Sequence, residues 1–399
     1  LYLESEKSMK KHLLYINLDG FAYYLYSNNP DRFPHLRALA SSSTFFASCY
    51  SSIPSITVPM QVGIVTGKKC GETGNCYQYF DKGTRSIVKT GRLNKSKTVA
   101  QLLAENGYRV LSIQQFAVED HGCTAFDEDH LYIQPGGDAV NRFKILQDYY
   151  ESLSLPGHSF DSLHDMVLFY ADDLDSAGHN YKEHQNTEEE RVENVRRKLD
   201  VIDREIGKTL DIIEKKGLMD SITILLTADH GMVSYTTPSL LPILVDDLSK
   251  KTGYKVSSDI TGSPDIFLLP TTIECQGYIL NDIVEEEKVL SALKQLEYVE
   301  VVLSKKDLEK EGVLDSFGDF LISPVKGAAF YIGLDQIPEG VILASHDSLN
   351  EEAQHVFALI FSSGEKPCVL KEKYQIQSLM DIALRLSSLP VLDKKGGLA

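Results

Sequence analysis

The segment HLLYINLDG, His12–Gly20, is an apolar run that ends in a carboxylate, Asp19. Two later segments, Met166–Tyr170 and Ile222–Leu226, repeat this pattern, and each is followed within a few residues by acidic side chains. Continuous runs of leucine and β-branched residues are typical of parallel strands that are covered on both faces. In open α/β sheets, ligands collect at the carboxyl ends of such strands. We therefore expect the polar residues that follow these three strands to converge.

Helical patterns separate the strands. Thr98–Glu105 and Glu188–Lys216 both keep apolar residues near helical spacing and end close to a glycine. The alternation of strands and helices predicts an α/β fold with a mainly parallel central sheet. Residues 234–325 interrupt this alternation, with a helix predicted at Glu285–Leu296 and a strand at Val299–Leu303. We interpret this segment as an inserted cap.

The rest of the chain is assigned to one catalytic core in two parts, residues 9–233 and residues 326–399. Strands near Val341–Ala344 and at Val356–Phe361 are predicted to return the chain to the core. Residues 1–8 are interpreted as an N-terminal extension. A natural start at Met9 predicts a cytoplasmic protein, whereas an extracytoplasmic location follows if the extension is the remainder of an export segment.

Composition excludes several classes of partner. The net charge of −17 would repel polyanions, so binding to a nucleic acid polymer or an anionic membrane surface is not expected. No run of 18 apolar residues occurs, and membrane insertion is therefore not predicted. A phosphate-binding glycine loop of the P-loop type is also missing from the sequence.

The segment PSITVPMQVGIVTG, Pro54–Gly67, places Thr57 between two prolines. Proline fixes its own backbone and biases the residue before it toward extended geometry, which predicts a rigid, non-helical approach over Ser55–Val58. Taken alone, a hydroxyl group at this position is explained by a turn in which threonine bonds its own backbone.

Carboxylates and histidines follow the predicted strands. Asp175 and His179 lie four residues apart beyond the second strand, and Asp229 and His230 follow the third. Each pair alone is explained by a solvated loop or a helix cap. Together with Asp19 they supply five oxygen and nitrogen ligands, and mixed ligation by histidine and aspartate suits zinc, with manganese or iron as alternatives.

The order of these motifs resembles the alkaline phosphatase superfamily. LDG, PSITVP followed by TG, a D-x-x-x-H pair and DHGM occur in that order between Met9 and Met232. More narrowly, the motifs resemble the type I phosphodiesterase/nucleotide pyrophosphatase family. The resemblance implies an alkaline phosphatase-like α/β sandwich. It also implies that Thr57 is a nucleophile, which attacks phosphorus and forms a phospho-threonine intermediate that water hydrolyses.

The resemblance further implies two divalent metal ions. The implied ligand sets are Asp19, Thr57, Asp229 and His230 for one ion, and Asp175, His179 and a late histidine for the other. His346 and His355 are both candidates for the late histidine. His346 is favoured because it follows the strand predicted near Val341–Ala344, although Asp347 stands next to it where the family has glycine.

The sequence departs from the family where substrate would bind. Val58 follows the threonine, at a position where nucleotide-cleaving relatives often carry an aromatic residue that stacks on a base. Met60 stands where those relatives have an asparagine whose amide donates to phosphate, and Gln61 is a candidate to replace that donor. Met60 and Gln61 are therefore predicted to contact substrate. In the alternative, Gln61 faces away and Met60 packs in the core.

The segment Leu290–Phe320 resembles the cap region of phosphonoacetate hydrolases, although Ser112–Gln115 offers none of the lysines that those enzymes present to substrate. The sequence predicts a metal-dependent enzyme that cleaves phosphodiester or pyrophosphate bonds in a small phosphorylated substrate. A carbon–phosphorus hydrolase or a phosphomonoesterase is the enzymatic alternative. A pseudoenzyme that keeps its metals is the alternative from another class.

Overall fold

The computed structural model of the chain describes residues 11–235, 239–331 and 340–392. The strands of this part of the chain are β1 (His12–Leu18), β2 (Thr44–Phe46), β3 (Cys49–Tyr50), β4 (Gln78–Asp81), β5 (Ser86–Lys89), β6 (Val110–Ile113), β7 (His130–Ile133), β8 (Ser154–Leu155), β9 (His158–Ser159), β10 (Met166–Ala171), β11 (Ile222–Thr227), β12 (Val233–Tyr235), β13 (Val256–Ser257), β14 (Ile266–Pro270), β15 (Cys275–Ile279), β16 (Val299–Ser304), β17 (Phe320–Pro324), β18 (Leu343–Ser345), β19 (His355–Val356), β20 (Ala358–Ser362), β21 (Cys368–Leu370) and β22 (Tyr374–Gln375).

The α-helices of the same residues are α1 (Tyr23–Ser27), α2 (Pro34–Ser41), α3 (Thr57–Thr66), α4 (Cys70–Thr73), α5 (Val99–Glu105), α6 (Ala139–Ser152), α7 (Asp173–Gly178), α8 (Glu188–Lys215), α9 (Leu241–Thr252), α10 (Glu286–Leu293), α11 (Lys305–Lys310), α12 (Glu351–Gln354) and α13 (Leu379–Leu386).

The central sheet has eight strands in the order β21-β2-β20-β11-β1-β10-β6-β7. Strands β11, β1, β10, β6 and β7 run parallel to one another, while β20 and β2 are antiparallel to their neighbours β11 and β20. The prediction of a mainly parallel α/β sheet is confirmed. Strand β10 is buried along its whole length, as expected for a strand that is covered on both faces. Helices α2, α6 and α8 form one contacting group, and α3, α5 and α13 form a second.

One predicted strand does not join this sheet. The strand expected near Val341–Ala344 is β18, Leu343–Ser345, and it pairs with β12 in a separate two-stranded sheet. Strand β20 does return to the central sheet, where it lies antiparallel to β11. The difference has a structural consequence, because β12 follows directly on the Asp229-His230 segment and so holds β18 beside the carboxyl end of β11.

The backbone around Thr57 also differs from the prediction. Helix α3 begins at Thr57, so Thr57 and Val58 are helical rather than extended. Pro59 is compatible with this geometry because the first N–H groups of a helix have no acceptor within the helix, and the missing N–H of a proline costs nothing there. The nucleophile candidate therefore lies in the first turn of a buried helix.

A second sheet lies outside the central one. Its five strands have the order β13-β14-β15-β17-β16, and all of them fall within residues 234–325. A separate apolar cluster from α9, α10 and these strands fills its core. The exact domain boundaries stay a prediction, and residues 1–8 lie outside the described residues. None of the helices in the described ranges combines the length and the apolar character of a membrane-spanning segment.

Candidate active site

The first group of predicted ligands forms at the carboxyl ends of two neighbouring parallel strands. Asp19 follows β1, and Asp229 and His230 follow β11, and the register pairs Asn17 with Thr227. Each aspartate lies two residues beyond this pair, so the two carboxylates leave the sheet side by side. One ligand atom from each of Asp19, Asp229 and His230 lies within 4.8 Å of the others.

The second group combines one helical turn with a distant loop. Asp175 and His179 are four residues apart on and just after α7, a spacing that places two side chains on one helix face. His346, which follows β18, joins them, and the ligand atoms of these three residues also lie within 4.8 Å of one another.

The other candidate for the late histidine lies elsewhere. One ring nitrogen of His355 is 3.0 Å from the Ala47 carbonyl oxygen and the other is 3.1 Å from the Glu351 carboxylate. Its ring also stacks on Tyr23, with centroids 4.1 Å apart. The structure therefore places His346, and not His355, with Asp175 and His179.

Thr57 lies against the first group, which in turn touches the second. Its Oγ1 is 3.0 Å from Nε2 of His230. The His230 ring stacks on the ring of His346 with centroids 3.7 Å apart, so the first group touches the second. All seven predicted ligand residues thus meet at one place, at the N-terminus of α3.

The three histidines present the same nitrogen to the site. Their Nδ1 atoms lie 2.7 to 2.9 Å from backbone carbonyl oxygens, with His179 bonded to Ala344, His230 to Gly231 and His346 to Ser55. A carbonyl oxygen only accepts, so each Nδ1 carries the proton and each Nε2 keeps a lone pair for a ligand. Such second hydrogen bonds are the usual way in which metal-binding histidines are oriented.

Two of the predicted ligand residues each have a buried carboxylate oxygen without a hydrogen-bond partner among the described residues, namely Oδ1 of Asp19 and Oδ1 of Asp175. A buried carboxylate oxygen without a partner is costly, and a coordinated cation would satisfy it. The donor set of carboxylates and imidazoles is the one that zinc prefers. The residues present therefore fit divalent metal ions.

The charges in the site also fit the binding of a cation. Burial, then the nearby Asp229 and Asp175, raises the pKa of Asp19 well above its usual value. Burial likewise raises the pKa of Asp229 to about 6 and lowers that of His346 to about 4. The site thus concentrates carboxylates in a region where water cannot solvate them. His346 is held neutral, as a histidine that binds a metal ion must be.

Asp175 is the exception among the carboxylates. Burial opposes its ionisation, but the neighbouring His179 and His346 outweigh burial and lower the pKa of Asp175 below its usual value. The pKa of His179 rises in turn because Asp175 outweighs the effect of burial there. Nε2 of His179 accordingly lies 3.4 Å from Oδ1 of Asp175, and the two side chains form the centre of the second group.

A buried hydrogen-bond network behind the site was missed by the sequence analysis. The Gln61 amide donates to Oδ1 of Asn17 at 2.7 Å and to Oδ2 of Asp229 at 2.9 Å. The amide of Gln115 donates to Gln61 in turn, at 2.8 Å. Tyr170, near the end of β10, donates to Asp19 from the other side. A single polar residue, Asn17, inside the apolar run of β1 was the available signal.

The side chains of Gln61 and Met60 are both engaged by other protein groups. Both amide hydrogens of Gln61 are already donated, and its side chain is fully buried. Met60 packs in the main core, where its Sδ accepts from the Ser52 hydroxyl group at 3.4 Å. These contacts favour the alternative in which Met60 packs in the core and Gln61 orients Asp229. Substrate binding by either residue stays a prediction.

We expect Gln61→Leu to weaken zinc binding by about 10- to 100-fold, the usual effect of removing a residue that orients a metal ligand. The reason is that leucine leaves Asp229 free to turn and Asn17 without its donor. Equilibrium dialysis against buffered zinc would measure the change. Gln147→Leu is the matched control, because the Gln147 amide is also buried but donates to Glu205, away from the site. Equal zinc affinity in the two variants would contradict the assigned role.

With this geometry established, comparison with known proteins identifies the family. Residues 13–331 match the type I phosphodiesterase/nucleotide pyrophosphatase family. The chain belongs to this family. It is accordingly a hydrolase, in a family that depends on metal ions. No curated protein sequence matches the chain.

Solved structures with this fold include ectonucleotide pyrophosphatase/phosphodiesterase 5 from two species. The murine protein, as an inactive variant in complex with AMP, is 13% identical, with a TM-score of 0.70 and 97% of each chain covered. The human protein is 15% identical, with a TM-score of 0.67 and the same coverage. At this identity the likeness shows a common fold. These matches do not include a phosphonoacetate hydrolase-like cap, so that part of the predicted resemblance is without support.

Proposed function

We propose that this family member cleaves phosphodiester or pyrophosphate bonds of a small phosphorylated substrate, with Thr57 as the nucleophile. Two divalent metal ions, for which zinc is the favoured metal, would serve as cofactors. The observation that carries the proposal is the position of the Thr57 hydroxyl group. It lies at a helix N-terminus, 3.0 Å from His230, where the two groups of ligand residues touch.

Thr57 would attack phosphorus through Oγ1. A bond forms between Oγ1 and phosphorus, the bond to the leaving oxygen breaks, and the leaving oxygen gains a proton. Water then hydrolyses the phospho-threonine and restores the hydroxyl group. When bound, the two cations would lower the pKa of the attacking hydroxyl group and neutralise the phosphoryl oxygens.

The protein itself contributes position and exclusion of water. The hydroxyl group is fixed because Thr57 opens helix α3, whose remaining residues from Pro59 to Thr66 are buried. The first N–H groups of a helix have no acceptor within it and favour an anion, so the phosphoryl oxygens would meet them. His230 and His346, held by backbone carbonyl oxygens, keep their Nε2 atoms directed at the site.

The test is hydrolysis of three substrates in parallel, with zinc present. We expect turnover of a chromogenic phosphodiester to exceed that of the matched phosphomonoester and of phosphonoacetate. Preference for the monoester or for phosphonoacetate would replace the proposal by the corresponding alternative. Failure to turn over any of the three with two metal ions bound would favour the pseudoenzyme.

A further inference from the structure

The carboxylate of Asp347 joins the second sheet to the active site. Its Oδ2 accepts hydrogen bonds from three consecutive backbone N–H groups, those of Thr272, Ile273 and Glu274, at 2.7, 2.9 and 3.3 Å. These residues form the turn between β14 and β15. Its Oδ1 accepts from the Ser345 hydroxyl group at 2.6 Å, on the end of β18. One side chain, 2% exposed, therefore fastens the turn to the strand that precedes His346.

His346 continues this connection toward the nucleophile. Its Nδ1 donates to the carbonyl oxygen of Ser55 at 2.8 Å, two residues before Thr57. Its Nε2 lies 3.8 Å from Oδ1 of Asp175. Two consecutive residues, His346 and Asp347, thus connect the second sheet, the second ligand group and the segment that leads into α3.

From these contacts we propose that Asp347 is a positioning residue, through which the second sheet holds His346 in place and sets the zinc affinity of the second ligand group. The proposal rests on the proposed two-metal function. The proposal gives a role to Asp347, which stands beside His346 at a position where the family has glycine.

The hydrogen bonds that Asp347 accepts are stronger than hydrogen bonds between neutral groups. Hydrogen bonds to an ionised carboxylate are about twice as strong as those between neutral groups. Removing the carboxylate would leave three backbone N–H groups of a buried turn without an acceptor, which the turn can correct only by moving. Because Asp347 and His346 are adjacent, movement of the turn would shift the imidazole.

The adjacent Glu274 does not compete for this role. Burial, and then the charge of Asp347, raises the pKa of Glu274 to about 8. Burial therefore disfavours the charged form of Glu274, and the three N–H groups donate to Asp347 instead. Oε1 of Glu274 has no hydrogen-bond partner among the described residues.

The experiment compares Asp347→Asn and Asp347→Gly with Asp319→Asn. Asp319 is a suitable control because it also bonds the second sheet to a distant segment, accepting from the Ile279 N–H at 2.6 Å and from Lys82 at 2.7 Å, but contacts no ligand residue. Equilibrium dialysis would give zinc per chain and the affinity of each site. The absorption spectrum of the cobalt(II)-substituted protein would report the geometry of the second site, and thermal unfolding would report stability.

We expect both Asp347 variants to bind the second zinc at least about 10-fold more weakly, with an altered cobalt spectrum and the first zinc retained. The Asp319 variant should change only the melting temperature. Wild-type affinity for both ions in Asp347→Gly, or an equal loss in Asp319→Asn, would overturn the proposal. The proposal would also be overturned if the wild-type protein bound only one zinc ion.

Ser345→Ala provides a milder variant, should the Asp347 variants fail to fold. It removes only the donor to Oδ1 of Asp347, so a smaller loss of affinity for the second zinc is expected, and no change would count against the proposal. Since these readouts need no substrate, they separate the inference from the proposed reaction. A protein that binds two zinc ions as described but hydrolyses nothing would refute only the function.

Discussion

Thr57→Ala should lower kcat for a phosphodiester by about 10⁴-fold or more, the scale of loss seen when a covalent nucleophile is removed. The substitution deletes the Oγ1 that lies 3.0 Å from His230, and no other change in the site is needed to stop the reaction. Steady-state kinetics with zinc present would measure the loss. Alanine keeps the helix start of α3, so the fold should be unaffected.

Thr57→Ser is the matched control, because it keeps the hydroxyl group and removes only a methyl group. We expect it to retain activity within about 10-fold of the wild type, and to yield a phosphorylated serine if hydrolysis of the intermediate is slow. Turnover by Thr57→Ala at the wild-type rate would exclude a covalent threonine and leave an activated water as the nucleophile.

His346→Ala is expected to reduce bound zinc from two ions to about one and to lower kcat/KM by about 10²-fold or more, because one cation no longer neutralises the phosphate. Zinc analysis of the dialysed protein and kinetics on the same sample would test both effects together. Since His346 contributes a buried ring against His230, melting temperature should be recorded as well.

His355, the other candidate for the late histidine, supplies the control for this prediction. His355→Ala removes a ring that stacks on Tyr23 and is bonded to Ala47, so stability should fall while both zinc ions and the catalytic rate remain. If His355→Ala lost the second zinc and His346→Ala kept it, the ligand assignment would be wrong, whatever the proximity of His346 to Asp175 and His179.

Several features of the fold follow from local patterns. The runs His12–Leu18 and Ile222–Leu226 were predicted as buried strands, and the structure has β1 at His12–Leu18 and β11 at Ile222–Thr227. Helix α5 starts after Thr98 because the Thr98 side chain accepts from the Gln101 N–H and forms a capping box. Such elements are predictable because the spacing of apolar residues and the capping residues of a helix are local signals, which involve only a few neighbouring residues.

The sequence by itself determined the ligand chemistry of the candidate site and the strands that position Asp19, Asp229 and His230. It did so because residues beyond adjacent parallel strands must share one edge of the sheet. The sequence favoured His346 over His355 only by its position after a predicted strand, and the tertiary structure decided between them because it brings His346 beside Asp175 and His179. Only the structure showed that Gln61 faces Asp229 and that Asp347 binds the turn at Thr272, because each contact joins segments far apart in the chain and depends on how separate elements pack.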